Sequence, residues 1–164
     1  MGALDKNQIG TVASINLSGG GVPKKWVSGA RVSRSGLIGD AQRHRKFHGG
    51  PERAVCIYSL ELIRLLRIEG HPIDVGTVGE NLTVEGIDWA HVVPGNRLVV
   101  GDAVALEIAS FTKPCKTIQA SFVDGNFVRI SQKLYPGWSR VYARVITEGE
   151  IRSGDTVRMN APPQ

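Results

Sequence analysis

The sequence predicts a mainly β protein: a closed or nearly closed barrel with one to three short helices packed on its outside. Two observations carry this. Many short segments alternate apolar and polar residues, and glycine-centred turns fall between them. A third observation sets the scale. With 164 residues, 41% of them hydrophobic, the chain can bury one compact core but is short for two ordinary domains. The expectation is a single domain over residues 1–164, with its core from about 10 to 159.

The elements follow in order. From Gly10 the chain alternates, with Thr11, Ala13, Ile15 and Leu17 on one face and Val12, Ser14 and Asn16 on the other. The turn Gly19-Gly20-Gly21 closes that strand. A second strand is expected around residues 30–33, and residues 36–50 are polar and loop-like. Ala54-Val55-Cys56-Ile57-Tyr58 is a continuous apolar run that fits a buried strand. The clearest helix comes next: Ser59 can cap it, Leu62, Leu65 and Leu66 recur at helical spacing, and Gly70 suits the position past its end. Gly79-Glu80-Asn81-Leu82-Thr83 leads into another strand. Residues 98–100 and the alternating Val104, Leu106 and Ile108 form a hairpin across Gly101-Asp102. Val141, Ala143 and Val145 alternate with Arg140, Tyr142 and Arg144, and residues 154–159 make a last short strand. Gly-Asp recurs at 101 and 154, which suggests two similar turns but is too short for a repeat.

The formal charge of +5 points towards an anionic partner, such as a nucleic acid, a membrane surface or a phosphorylated cofactor. Its distribution narrows the choice. Arg43, Arg45, Lys46 and Arg53, with His44 and His48, form the densest basic stretch, and there is no long basic tail. Three tryptophans, three tyrosines and four phenylalanines are not interleaved with that stretch, as a base-stacking platform would require. Nucleic acid is therefore not expected as a partner. Membrane is not expected either: no apolar run approaches the roughly 18 residues needed to span a bilayer. The N-terminus lacks a signal-peptide core and has Lys6 where a myristoylation signal wants Ser or Thr. Two cysteines are too few for a disulfide scaffold, though one pair stays open. The expected compartment is the reducing cytoplasm.

The chemistry concentrates in a few places. Thr112-Lys113-Pro114-Cys115-Lys116-Thr117-Ile118 follows a predicted strand; Pro114 ends the strand and Cys115 opens a short helix or turn. A thiol there, flanked by Lys113 and Lys116, is favoured as thiolate, the species that attacks electrophiles or ligates soft metals. The alternative is a half-buried cysteine that fills space. Cys56, inside an apolar run, reads as core packing. In the loop around His48-Gly49-Gly50, two glycines allow backbone amides close to an oxyanion, and Arg43, Arg45 and Arg53 could pair with phosphate. A solvated basic surface is the competing explanation. His44 and His48 are four apart, but the stretch reads as loop and no acidic third ligand lies nearby, so zinc is not favoured. Asn81 could bond the edge of a heterocycle or simply shape a turn. Arg144, on an otherwise apolar alternating strand, would need an anionic or carbonyl partner if it faced inward.

Taken in order, Gly39-Asp40, His48-Gly49-Gly50 with Arg53-Ala54, Gly79-Glu80-Asn81-Leu82, Gly101-Asp102, Pro114-Cys115 and Tyr142-Ala143-Arg144-Val145 resemble the MOSC family, named for the C-terminal domain of molybdenum cofactor sulfurase. The resemblance runs from about Gly10 to Met159. It implies a β-barrel and binding of a molybdopterin-type molybdenum cofactor. In members that reduce N-hydroxylated compounds a cysteine sits on the metal; Cys115 matches that position as catalytic residue and molybdenum ligand. Asn81 and Arg144 match cofactor-contacting positions. His48, Gly49, Arg53 and Lys113 complete the set expected to contact phosphate or pterin. Neither a pyridoxal phosphate site, such as the sulfurase carries on a separate domain, nor the extra C-terminal helical segment of some bacterial relatives is expected from these residues.

Three activities share this pocket. The favoured one is an oxidoreductase that reduces N-hydroxylated compounds with electrons from a flavoprotein or iron–sulfur donor. The others are a carrier that stores or hands on the cofactor, and a sulfur carrier holding a persulfide on Cys115.

Overall fold

The computed structural model describes residues 7–41 and 50–160. In chain order they form β1 (Gln8–Leu17), β2 (Lys25–Val27), β3 (Gly29–Ser33), β4 (Gly36–Leu37), β5 (Val55–Ser59), α1 (Leu60–Ile68), β6 (Leu82–Glu85), β7 (Arg97–Val100), β8 (Val104–Phe111), β9 (Val141–Thr147), β10 (Gly149–Arg152) and β11 (Thr156–Asn160), with several 3-10 turns. Seven strands close a barrel in the order β1-β11-β7-β8-β9-β5-β6 and back to β1. The β5–β6 pair is parallel, and the other pairs of the ring are antiparallel. Strand β2 extends the sheet beyond β1, and β10, β3 and β4 form a small second sheet. The closed, mainly β architecture expected from the alternation is the one observed.

Closure leaves no open edge in the ring and gives each strand an inner, apolar face. Val55, Ile57, Leu82, Ile108, Ala143 and Val157 are buried there at no more than 1% exposure. Strand β1 departs from the simple alternation. Val12 pairs with Val84 and Ser14 with Thr83, so Ala13 is an extra residue in a β-bulge. The bulge shifts the phase of the strand, and Val12 and Ile15 are both core residues. Unbroken alternation had placed them on opposite faces.

Helix α1 starts where expected: Ser59 Oγ accepts the Leu62 amide at 3.2 Å. Its inward stripe is Ile63 and Leu66, with Leu62 partly buried, whereas Leu65 is 47% exposed. Among the described residues no helix is long and apolar enough to cross a membrane.

The connection that matters for function runs from β8 to β9. It leaves and returns at one point: Thr112 N donates to Arg140 O (2.9 Å), and Ser139 Oγ donates to Thr112 O (3.2 Å). Cys115 lies just past one end of this clasp and Arg140 at the other.

Candidate functional site

A cleft on the barrel brings together Lys24, Cys56, Asn81, Cys115, Arg140 and Tyr142, with Gly21, Val22 and Gly79. It encloses about 610 Å³, its solvent-open mouth included. No carboxylate is among its described lining residues.

The wall of the cleft is built on the parallel β5–β6 pairing. Asn81 N donates to Cys56 O (2.7 Å) and Cys56 N to Asn81 Oδ1 (3.0 Å), which clamps the two strands at their entrance. The Asn81 amide then donates to Asn16 O (3.3 Å) and Asp40 Oδ2 (2.9 Å). Both of its donor hydrogens are committed to the protein, so Asn81 acts as a structural hub of the wall and has no N–H left for a heterocycle edge. Asp40 extends the hub. It accepts Lys24 Nζ at 2.6 Å and Ser18 N at 3.0 Å, and the Lys24 and Asp40 side chains are 9% and 6% exposed. Sequence reading had placed Asp40 in the family series without a role; the signal for one was the Gly39-Asp40 pair.

Glu80 sits behind this wall, fully buried. One carboxylate oxygen accepts Gly76 N (3.1 Å) and Thr83 Oγ1 (2.9 Å), while the other has no partner. Burial pushes its pKa up, against the pull of those hydrogen bonds and of Arg140. The native state therefore binds more protons than the unfolded chain from about pH 4.3, the ordinary glutamate value, up to the raised folded value. The sign is that the penalty is absent at acid pH and grows as pH rises through this window. Glu80→Gln keeps an acceptor for Gly76 and Thr83 and removes the titration. Urea melts from pH 4 to 8 should show wild-type stability falling relative to the variant as pH rises.

Cys115 is half-buried and faces the cleft, in extended conformation just before the 3-10 turn Lys116–Ser121. The expected helix start is this short turn. Cys56 is buried among the core residues as expected, at 5% exposure, and it also lines the same cleft. Burial pushes the Cys56 thiol up, so it stays protonated. Tyr142, paired with Cys56 across β5–β9, is pushed up to about 12, chiefly by burial and then by Cys56, and keeps its phenolic proton at neutral pH.

The other expected site residues are spread more widely. Arg144 does not turn inward. It is 42% exposed and pairs with Glu107, which also accepts Arg97 Nε at 2.9 Å; hydrogen bonds from Arg144 and then Arg97 hold that carboxyl below its ordinary value. The strand explains the difference. Arg140, Tyr142 and Arg144 share one face of an alternating stretch, but the β8–β9 register sets Arg144 opposite Glu107, while the clasp at Thr112 tucks Arg140 into the cleft. Arg140, which sequence reading left without a role, is 6% exposed and donates from Nη1 to Val78 O at 2.6 Å. Arg53 is exposed, with its guanidinium 5.7 Å from the centre of the Tyr142 ring at the cleft rim. Lys113 is exposed and does not line the cleft. His48 and Gly49, and with them Arg43, His44, Arg45 and Lys46, lie outside the described residues. Among the described residues no group of three or more His, Cys, Asp or Glu could hold a metal ion.

A family model for the MOSC domain matches residues 44–158, well over half of the chain. The chain belongs to the MOSC domain family. Membership associates it, at the level of the family, with the molybdenum cofactor. It is 29% identical over 134 residues to the uncharacterized protein YflK of Bacillus subtilis, covering 80% of this chain and 59% of that protein. It is also 29% identical over 125 residues to the protein YiiM of Escherichia coli, covering 73% of this chain and 54% of that one. The MOSC chain thus spans less than two thirds of the length of these curated relatives. Among solved structures it is similar to YiiM from Geobacillus stearothermophilus (TM-score 0.69, 23% identity, 93% of this chain and 75% of that one). It is likewise similar to the YUAD protein from Bacillus subtilis (TM-score 0.72, 18% identity, 96% and 98%). At such identities the structural likeness speaks for the MOSC fold alone. The residues of the cleft fit a molybdopterin-type group: a half-buried sulfur for a soft metal, an arginine for an anionic end, and no carboxylate among the described lining residues to repel it.

Proposed function

We propose that the cleft holds a molybdenum cofactor with the Cys115 thiolate as its protein ligand, and that the loaded protein reduces N-hydroxylated compounds with electrons from a flavoprotein or iron–sulfur donor. One observation carries this reading: Cys115 opens onto a cleft in which Lys24 and Arg140 are the charged residues among the described lining. When bound, the cofactor supplies two-electron redox chemistry at its metal.

The chain's own residues bind and orient. Cys115 offers the soft donor, and the extended backbone before its turn holds the sulfur at the cleft. Tyr142, which keeps its phenolic proton at neutral pH, lines the cleft and shapes the place of cofactor or substrate. Arg140 offers charge-assisted hydrogen bonds from the floor. Arg53 over the Tyr142 ring, the exposed Lys113 and, further along the Tyr142 face, Arg144 carry positive charge outward to receive the phosphate end. His48 and Gly49 join them by motif position. The wall of Asn81, Asp40 and Lys24 keeps the cleft open without spending its own donors on the ligand.

A sulfur-carrier reading, with a persulfide on Cys115, is favoured by one observation: a second thiol, Cys56, lines the same cleft. Expression in a cofactor-producing host separates the alternatives. Bound molybdenum with reduction of hydroxylamine by a chemical donor is the result expected here. Molybdenum without turnover would mean a carrier, and cyanide-labile sulfur without molybdenum would mean the persulfide.

A further inference from the structure

Both cysteines of the chain are free, and both line the same cleft. The sequence left a pairing between them open, and the fold brings them to one place. Cys56 stands opposite Tyr142 across β5–β9, and both cysteines are among the groups that act on the Tyr142 hydroxyl. Thr112, three residues before Cys115, is in turn among the groups that act on the Cys56 thiol. The two sulfurs differ in exposure and in support. Cys115 is half-buried, whereas Cys56 is 5% exposed, so a small oxidant in the cleft meets Cys115 first. Cys56 is also pinned. Its N donates to Asn81 Oδ1 (3.0 Å), and its O accepts Asn81 N (2.7 Å). Residues 113–115 belong to no strand or helix, so Cys115 can approach Cys56 without breaking a ladder of the barrel. An exposed sulfur beside a buried one on a fixed strand is the arrangement of an attacked thiol and its resolving partner.

We propose that Cys56 and Cys115 form a reversible disulfide in the cofactor-free chain, Cys115 being the thiol that a hydroperoxide oxidises and Cys56 the one that resolves it. The Cys115 sulfur attacks the peroxide: an S–O bond forms, the O–O bond breaks, and the thiol proton leaves with the released oxygen as water. The Cys56 sulfur then attacks the sulfenic sulfur of Cys115. An S–S bond forms, the S–O bond breaks, and the Cys56 proton leaves with the hydroxide as a second water. The two thiols lose two electrons in all, and the peroxide takes them. A dithiol reductant reverses the bond by exchange and ends as a disulfide itself. Forming the bond needs no metal. Its consequence rests on the cofactor reading: with Cys115 as the metal ligand, the closed form shuts out the cofactor and shields the ligand sulfur from irreversible oxidation until loading.

The test uses the full chain without cofactor, reduced and then treated with hydrogen peroxide at low protein concentration. Thiols counted after denaturation should fall from two per chain to none, and return to two after dithiothreitol. A non-reducing digest of the monomer should yield the peptides of Cys56 and Cys115 joined to each other. In Cys56→Ser the link cannot form, so dimedone trapping of the Cys115 sulfenic acid should rise at least tenfold over wild type. The wild-type digest stands by itself even if that variant does not fold. Three results overturn the proposal: Cys115 found as sulfenic or sulfinic acid beside a free Cys56, a link only between two chains, or equal dimedone trapping in both proteins. None of these readouts involves molybdenum. A chain that links its thiols yet binds no metal through Cys115 defeats the cofactor reading alone, and metal binding without the link defeats this proposal alone.

Discussion

Asp40→Ala is expected to lower the stability of the fold by about 3–5 kcal/mol, because it leaves the Lys24 ammonium buried without its counter-charge. The Asp40 carboxylate accepts Lys24 Nζ, Asn81 Nδ2 and Ser18 N at 2.6, 2.9 and 3.0 Å, so three donors lose their acceptor together. For a chain of this size the loss corresponds to a fall in Tm of roughly 6–20 °C. Urea or thermal melts measure it. The discriminating variant is the double replacement Asp40→Ala with Lys24→Met, which removes both charges. It should recover a large part of the loss, since the main cost is the orphaned charge and not the missing pair. A double variant as unstable as Asp40→Ala alone would show that the hydrogen bonds to Asn81 and Ser18 dominate.

Gly76→Ala should be comparably damaging, at about 3 kcal/mol or more, for a purely steric reason. Gly76 has φ +81°, and a Cβ there would stand 2.1 Å from the Lys24 carbonyl oxygen. Lys24 N also donates to Gly76 O at 2.8 Å, so the two backbones are locked together and neither can retreat. Gly154→Ala is the control. Its φ is +91°, but nothing lies within 4 Å of the added carbon, so only the backbone term remains, about 1–2 kcal/mol. Equal losses from the two substitutions would refute the clash. Both predictions fall on the wall that carries Lys24, Gly79 and Asn81, so damage there should also impair whatever the cleft binds.

Local physics made much of the barrel readable in advance. Period-two alternation located the strand around 141–147, and a serine followed by leucines at helical spacing located α1 to within a residue. What stayed hidden depends on distant residues. The bulge at Ala13 exists because Val12 and Ser14 both find partners on β6, seventy residues away, and nothing near Ala13 announces it. Cys56 read as packing because its run is apolar; its place in the cleft follows from the parallel β5–β6 pairing, which no local pattern signals. Arg140 and Arg144 are equivalent by alternation, and only the register against β8 makes one a cleft residue and the other a partner of Glu107. Asn81 was expected to contact the cofactor; it lines the cleft, but its amide serves the wall.

The assignment of Cys115 is tested most directly by metal analysis. Wild-type protein and Cys115→Ser, purified side by side from a cofactor-producing host and matched in Tm, are assayed for molybdenum by mass spectrometry. Stoichiometric metal in the wild type and background metal in the variant is the predicted result; metal retained by an equally stable Cys115→Ser protein would contradict it.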